Sequence, residues 1–247
     1  MKLYVFEGGR AHLPDLSHLT PDRNFGISVT IPFLMFLIDH PKGLVVVDTG
    51  VDIDTAEDPL LEATPEHRID RQMRRLGYEP NDVKYVVLSH LHVDHMGCAT
   101  LFPNATFVVR RSELRAAWWP EPYDRGYDFD GILQMRNLKY LQPPDNETFD
   151  VFEDGSIVCF DTRGHTEGHQ SVLVNLPKSG RVVLTGDAVQ VAQNFTDKVP
   201  PGLCWNSQLA VQAIDKLQHL QMEGALIIFG HELSQLEDLT LAPGYYD

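Results

Sequence analysis

The sequence has little positive charge. It contains 20 Lys and Arg residues against 35 Asp and Glu residues, which gives a formal net charge of −15. A protein that binds nucleic acid needs a basic face to neutralise phosphates, and a protein that docks on anionic membranes needs a basic patch. The composition therefore predicts neither a nucleic-acid partner nor a membrane partner. An acidic protein does not repel a neutral or cationic small molecule, so such a ligand is compatible with the composition.

Cysteines and long apolar runs are also scarce. The three cysteines, Cys98, Cys159 and Cys204, are odd in number and lack the spacing of a metal site, so we expect free thiols. The longest apolar stretch, Ile31–Ile38, contains Pro32 and is too short to span a bilayer. The first residues lack the long apolar region of a signal peptide. These absences predict a cytoplasmic protein.

The remaining composition predicts one α/β domain over residues 1–247. With 247 residues, of which 43% are hydrophobic, the chain can bury a sizeable core. Apolar runs of strand length alternate with helical patterns, which favours stacked α/β layers. The predicted strands are Leu3–Phe6, Phe33–Ile38, Leu44–Val47, Tyr85–Leu88, Phe107–Val109, Ser171–Leu176, Arg181–Leu184 and Ala225–Phe229, with a hairpin formed by Phe149–Phe152 and Ile157–Phe160. Helices are predicted to begin at Thr64, Ser112 and Asn206.

One segment, residues 118–148, fits neither the helical nor the strand period. It is rich in Pro, Asp, Tyr and Trp. Long irregular insertions in compact domains are often binding loops, so we predict a lid or a substrate loop, and a surface excursion that caps a sheet edge is the alternative. Trp118 and Trp119 at its start either pack in the core or form a wall for a lipophilic substrate.

The strongest chemical signal is the segment Ser89–Gly97, which is called the ligand loop below. It places His90, His92, Asp94 and His95 within six residues, directly after a predicted strand. Alternation at the start of the loop can aim the first two histidines into one cavity, and the acid and the last histidine reach it across the turn. A polar cluster at a buried strand end needs partners, which predicts a metal site.

Three further candidate ligands also follow predicted strands. They are His165, Asp187 and His231, and each comes directly after a glycine, which permits a sharp turn and a close backbone approach. In α/β folds, functional groups collect at the carboxyl ends of strands. We therefore expect these side chains to join the four residues of the ligand loop.

The donor types indicate two divalent metal ions. Five imidazoles and two carboxylates without a thiolate suit Zn²⁺ best, and Fe²⁺, Co²⁺ or Mn²⁺ are the alternatives. Seven ligands exceed what one four- or five-coordinate ion uses. They match two ions a few ångströms apart that share one carboxylate.

Taken in order, these motifs resemble the metallo-β-lactamase superfamily, and more narrowly the quorum-quenching N-acyl homoserine lactone lactonases. The resemblance lies in His-x-His-x-Asp-His, Gly-His-x-x-Gly-His, Gly-Asp after a strand and Gly-His near the end of the chain. It implies an αββα sandwich, with two mixed sheets flanked by helices. It also implies one ion held by His90, His92 and His165, a second held by Asp94, His95 and His231, and Asp187 as the bridge.

The activity implied by the resemblance is dinuclear, metal-dependent opening of a lactone ring by a metal-bridging hydroxide. Asp94 and Asp187 would then be catalytic, and Asp94 could shuttle the proton. Hydrolysis of another lactone, an ester or a thioester at the same site is an alternative, and a non-catalytic metal-binding protein is a third. The sequence allows a monomer or a homodimer.

One position departs from the lactonase pattern. Gln190 stands three residues after Asp187, where those lactonases usually carry a tyrosine that contacts substrate. Gln190 can donate a hydrogen bond but cannot be a useful general acid. Either a metal ion alone stabilises the leaving alkoxide, or a tyrosine of the insertion, Tyr123 or Tyr127, substitutes. The other predicted substrate contacts are Phe25, Trp118 and Trp119, and the predicted supports of the ligands are Asp48 and His169.

Overall fold

The structure is a computed structural model that describes residues 1–54 and 59–247. These residues form twelve strands, which pair into two sheets. The strands are β1 (Lys2–Leu13), β2 (Val29–His40), β3 (Gly43–Val47), β4 (Leu61–Glu62), β5 (Val83–Val87), β6 (Thr106–Val108), β7 (Lys139–Leu141), β8 (Phe149–Asp150), β9 (Ile157–Asp161), β10 (Gln170–Leu176), β11 (Gly180–Leu184) and β12 (Leu226–Ile228).

Both sheets are mixed. The seven-stranded sheet has the order β4-β1-β2-β3-β5-β6-β7, and the five-stranded sheet has the order β12-β11-β10-β9-β8. Strands β3, β5, β6 and β7 are parallel, whereas β1 and β2 are antiparallel and pair Leu3 with Ile38. In the second sheet, only β11 and β12 are parallel.

The two sheets pack face to face around a fully buried apolar layer. Val47 and Val87 of the first sheet belong to the same cluster as Cys159 and Val172 of the second. Side chains alternate along each strand, so Val86, next to Val87, joins the opposite face of its sheet. Each fully buried side chain of this kind contributes roughly 1.5–3 kcal/mol.

Helices cover the outer faces of both sheets. On the first sheet, Ile69 and Met73 of α1 pack in an outer cluster, and on the second sheet Ile214 and Leu217 of α6 do the same. The helices are α1 (Ile69–Arg75), α2 (Val93–Met96), α3 (Arg111–Trp118), α4 (Phe129–Met135), α5 (Ala192–Asp197), α6 (Ser207–Met222) and α7 (Leu233–Leu236). The layers are therefore α, β, β, α, which confirms the predicted fold class.

Two predicted elements differ from the structure. The helix expected from Thr64 begins only at Ile69, because Arg68 is extended and separates a short 3₁₀ turn from α1. The segment 118–148 is not irregular throughout, since it contains α4 and β7, with Ile132 and Met135 in the outer core. These apolar residues are too widely interrupted by polar ones to show a period.

Other expectations agree with the structure. Asn206 caps α6 by accepting a hydrogen bond from the Leu209 backbone N–H. The cysteines Cys98, Cys159 and Cys204 are all free. Within the described parts of the chain, no helix is long and apolar enough to cross a membrane.

Candidate metal centre

Four turns carry the predicted ligands, and each turn follows the carboxyl end of a strand. The ligand loop follows β5, and α2 begins in it directly after His92. The turns after β9, β11 and β12 carry His165, Asp187 and His231. All seven predicted ligands meet in overlapping groups at this edge of the sandwich.

The first donor group consists of His90, His92 and His165, whose ligand atoms lie within 4.8 Å of one another. His92 Nδ1 is 3.1 Å from His165 Nε2, and the ring centroids of His90 and His92 are 4.5 Å apart. All three side chains are buried. Three converging imidazoles suit a transition-metal ion rather than Mg²⁺ or Ca²⁺.

The second donor group consists of Asp94, His95 and His231, again with ligand atoms within 4.8 Å. Asp94 Oδ2 lies 3.5 Å from Nε2 of both histidines. The Asp94 side chain is 20% exposed, whereas the two histidine side chains are 5% and 3% exposed. The carboxylate of Asp94 therefore marks the solvent side of the centre.

Asp187 lies between the two groups and directs one oxygen to each. Its Oδ1 is 3.1 Å from His95 Nε2 and 3.0 Å from His231 Nε2, and its Oδ2 is 3.4 Å from His165 Nε2. Gly230 permits this approach, since a Cβ there would lie only 3.0 Å from Asp187 Oδ1. The geometry is that of a carboxylate that can bridge two cations.

Several buried polar atoms at the centre have no hydrogen-bond partner among the described residues. They include His90 Nε2, His95 Nε2 and Asp187 Oδ1. The contact between His95 Nε2 and Asp187 Oδ1 is short but is not aligned as a hydrogen bond. Buried polar atoms almost always have partners, so several unpartnered nitrogen and oxygen atoms that converge on one point indicate a binding site for an ion. Divalent metal ions fit this site.

The electrostatics differ between the two donor groups. Burial lowers the pKa of His90 well below its usual value and lowers that of His165 to about 4, so both imidazoles are neutral. Burial opposes the charge of Asp94, but the adjacent His95 outweighs it and lowers the pKa of Asp94 to about 2. Burial likewise opposes the charge of Asp187, and His231 and His95 outweigh it, so its pKa falls well below the usual range. Burial opposes the charge of His95 and His231, but Asp94 and Asp187 outweigh it for His95, and Asp187 outweighs it for His231, so the pKa of both imidazoles is raised.

Three of the histidines use Nδ1 as a donor, which leaves Nε2 facing the centre. The acceptors are Asp48 Oδ2 for His95 at 2.8 Å, the Gly202 carbonyl for His165 at 2.8 Å and the Pro32 carbonyl for His231 at 2.9 Å. Such contacts fix the tautomer and the orientation of a ligand.

Asp48 and His169, the predicted supports, both contact the ligands without joining them. Asp48 also accepts hydrogen bonds from the backbone N–H and hydroxyl of Ser89, at 2.7 and 2.8 Å. His169 Nε2 accepts the backbone N–H of Asp187 at 3.0 Å, and its Nδ1 lies 2.9 Å from Thr162 Oγ1. Because both ring nitrogens of His169 are engaged, neither is free for a metal ion.

Glu113 is a functional side chain that the sequence analysis missed. It is fully buried, and its carboxylate accepts four hydrogen bonds, from the backbone N–H groups of Leu91 and Gly168 and from the hydroxyls of Tyr127 and Thr166. Burial raises its pKa. Glu113 ties the ligand loop to the insertion and to the turn of His165. In the sequence, it shows only as an acid in the first turn of a helix, a common surface feature.

Gln190 does not present a free amide. Its Nε2 donates to Asp187 Oδ2 at 2.7 Å, and its Oε1 accepts the Gly202 backbone N–H at 2.7 Å. Since the Gly202 carbonyl holds His165, Gln190 connects the bridging acid to a ligand of the first donor group. The structure thus places Gln190 as a support of Asp187, and its role as a substrate contact stays a prediction.

The predicted aromatic substrate contacts lie in varied settings. Tyr127 donates its hydroxyl to Glu113 at 2.9 Å, so this hydroxyl cannot stand in for the missing tyrosine in this conformation. The other four side chains are exposed on the surface, namely Phe25 (71%), Trp118 (41%), Trp119 (88%) and Tyr123 (53%). Trp118 also lines a cleft of about 330 Å³ with Leu91 of the ligand loop.

Comparison with known proteins places this geometry in a family. Residues 34–231 match the metallo-beta-lactamase superfamily. The N-acyl homoserine lactonase AttM of Azorhizobium caulinodans is 34% identical, with 100% of this chain and 99% of that protein aligned. The N-acyl homoserine lactonase of Bacillus cereus is 33% identical, with 99% and 98% aligned.

Solved structures show the same relationship. An N-acyl homoserine lactone hydrolase with the product N-hexanoyl-L-homoserine at its catalytic metal centre superimposes with a TM-score of 0.88 at 31% identity, covering 99% of this chain and 98% of that one. The dizinc quorum-quenching lactonase AidC, at 16% identity and a TM-score of 0.76, shares the fold over 98% of this chain and 92% of that one. This chain belongs to the metallo-beta-lactamase superfamily.

Proposed function

We propose that this protein opens the lactone ring of N-acyl homoserine lactones at a centre of two divalent metal ions. The observation that carries the proposal is the pair of donor groups with Asp187 between them, one oxygen toward each. The relatives that align over almost the whole chain are N-acyl homoserine lactonases, which supports this substrate class.

The seven side chains divide into two ligand sets in this proposal. His90, His92 and His165 hold one ion, Asp94, His95 and His231 hold the other, and Asp187 binds both. Zinc is the preferred metal, because the donors are imidazoles and carboxylates in a buried site. When bound, two such cations polarise an ester carbonyl and lower the pKa of water.

Asp94 is the residue best placed to move a proton. It is the most exposed of the seven ligands, and its low pKa keeps it ionised at neutral pH. Its carboxylate can accept a proton from water that enters at the open side and pass it to the alkoxide that leaves the opened ring. Asp187 is buried, so its role is to hold the two ligand sets at a fixed separation.

The acyl chain has a candidate cleft beside His231. This cleft has a volume of about 630 Å³, and Leu16, Val29 and Val191 form its apolar wall. Leu16 lies in the segment between β1 and β2. An apolar wall stabilises a bound chain in proportion to the area it buries, at about 25 cal/mol per Å².

A substrate panel tests the proposal. We expect the zinc-loaded protein to hydrolyse short- and long-chain N-acyl homoserine lactones, measured as acid release with a pH indicator. A simple lactone, an aryl ester and a thioester test the alternative substrates. If the protein prefers one of these compounds, the proposed substrate class is wrong but metal-dependent hydrolysis stands. Binding of two ions with no turnover of any substrate would favour a non-catalytic metal-binding protein.

A further inference from the structure

His92 meets the centre through a different ring nitrogen from the other histidines. Its Nδ1 lies 3.1 Å from His165 Nε2, and its Nε2 points away, toward the insertion. His165, His95 and His231 are held through Nδ1 and present Nε2. An imidazole that binds through Nδ1 needs an acceptor for the proton on Nε2.

Asp124 of the insertion supplies an acceptor at that position. Its Oδ1 is 3.0 Å from His92 Nε2, and the two side chains are only 8% and 4% exposed. The N–H of His92 is not aligned with the oxygen for a linear hydrogen bond, so the contact is a close electrostatic approach of the carboxylate to the ring nitrogen. The Gly126 backbone N–H also donates to Asp124 Oδ1, at 3.1 Å, and this fixes the carboxylate in place.

The residues around Asp124 pack the insertion onto the same imidazole. The Gly126 carbonyl accepts the backbone N–H of Val93 at 3.0 Å, and Tyr127 forms a β-bridge with His92. The Tyr127 ring packs edge-on at 4.7 Å from the His92 ring. A Cβ at position 126 would overlap the imidazole, so only glycine fits there.

The proton pattern explains why an acid is suitable here. His165 donates its Nδ1–H to the Gly202 carbonyl, so its neutral ring has a lone pair, not a proton, on Nε2. His92 Nδ1 faces that lone pair at 3.1 Å, and its own lone pair there would be repelled unless a cation lies between them. With a cation at Nδ1, His92 keeps its proton on Nε2, where Asp124 accepts it. The pair is therefore complementary to the metal-bound tautomer.

From this geometry, we propose that Asp124 is a positioning residue that holds His92 in the Nδ1-binding orientation, with residues 124–127 of the insertion acting as a clamp on that ligand. The proposal rests on the two-metal function above. It assigns the first part of the insertion to support of the metal centre. It also predicts that the clamp acts chiefly on the ion of the first donor group.

Metal affinity tests the clamp without using turnover. Zinc is titrated into the metal-free protein against a chromophoric chelator, which gives a dissociation constant for each ion, and cobalt absorption spectra report the coordination. We expect Asp124→Ala to weaken the binding of one ion by roughly 10–100-fold, which is the usual effect of removing a residue that supports a metal ligand. Asp124→Asn keeps an oxygen acceptor and should recover most of that loss. Gly126→Ala should reproduce the loss by displacing the ring.

Asp130→Asn is the matched control, because it removes one negative charge from an exposed site in the same insertion. Thermal unfolding of each metal-free variant separates misfolding from weaker binding, and Gly126→Ala carries the test if Asp124→Ala does not fold. Wild-type dissociation constants in both Asp124→Ala and Gly126→Ala, or an equal loss in the control, would overturn the clamp. A wild-type protein that binds fewer than two ions would instead contradict the two-metal function.

Discussion

The two donor groups are supported by different parts of the molecule. In the second group, Asp48 at the end of β3 holds His95, and the Pro32 carbonyl of β2 holds His231. In the first group, the supports are loop residues. Asp124 of the insertion faces His92, and the Gly202 carbonyl, in the loop between α5 and α6, holds His165.

This difference indicates how the centre assembles. Central strands of the larger sheet hold the second group, so folding of the core places its ligands. The first group needs two loops to pack onto it, and loops open at a lower free energy than the core. We therefore expect the ion of the first group to be the more weakly bound of the two in the wild-type protein.

Asp187→Ala should have the largest effect, because it removes the one side chain that both groups share. Loss of an outer partner already costs 10–100-fold, so loss of this ligand should lower lactone turnover by more than about 100-fold. Metal analysis should also show fewer than two ions per chain. Full activity with two ions retained would show that the groups do not depend on a shared acid.

His165→Ala and His169→Ala should separate a ligand from its support. The first change removes a donor of the first group, so we expect loss of one ion and of turnover. The second removes the acceptor of the Asp187 backbone N–H, which should cost about 1–3 kcal/mol in the free energy of unfolding while both ions stay bound. Metal content and urea unfolding measure the two effects. Equal metal loss in both variants would contradict the assignment.

Asp48→Ala should affect metal binding at the second donor group. Asp48 accepts hydrogen bonds from His95 and from the Ser89 backbone and hydroxyl, so its loss should weaken the second ion by roughly 10–100-fold and also lower stability. Chelator titration combined with thermal unfolding measures both. If Asp48→Ala instead weakens the same ion as Asp124→Ala, the two supports do not serve separate groups.

Gln190→Ala should have the smallest effect on turnover. It removes one hydrogen bond to the charged Asp187 Oδ2, worth about 1.5–3 kcal/mol, which corresponds to roughly 10- to 150-fold in rate. The backbone of Gly202, which holds His165, also loses its partner, so any weaker metal binding should appear at the first group. A loss of several hundredfold would mean that the amide contacts the substrate directly.

The clustering of the seven candidate ligands was predictable, because their signals in the sequence are local. His90, His92, Asp94 and His95 share one turn after a Val-rich strand, and glycines precede the distant ligands. The strand runs and the start of α6 at Asn206 were also predictable, since each depends on residues close together in the chain.

The supports were harder to predict, because their partners are remote in sequence. Asp124 faces a histidine 32 positions earlier, and Glu113 links segments 22 and 55 positions away from it. Each is a single acid in a polar stretch, and no period or spacing distinguishes it from a solvated side chain. The sequence identifies Gln190 as a departure from the lactonase pattern. Its contacts could not be predicted, because they depend on the fold of the loop that contains Gly202.

The two-metal lactonase function is tested most directly by measuring metal content and lactone turnover on the same sample. The protein is stripped with a chelator, and zinc is then returned in steps while hydrolysis of N-hexanoyl homoserine lactone is followed by acid release. We predict no turnover without metal, and activity that rises until two ions are bound per chain. Full activity with one ion bound per chain would contradict the proposal of a two-metal lactonase. So would the absence of activity in protein that has bound two ions.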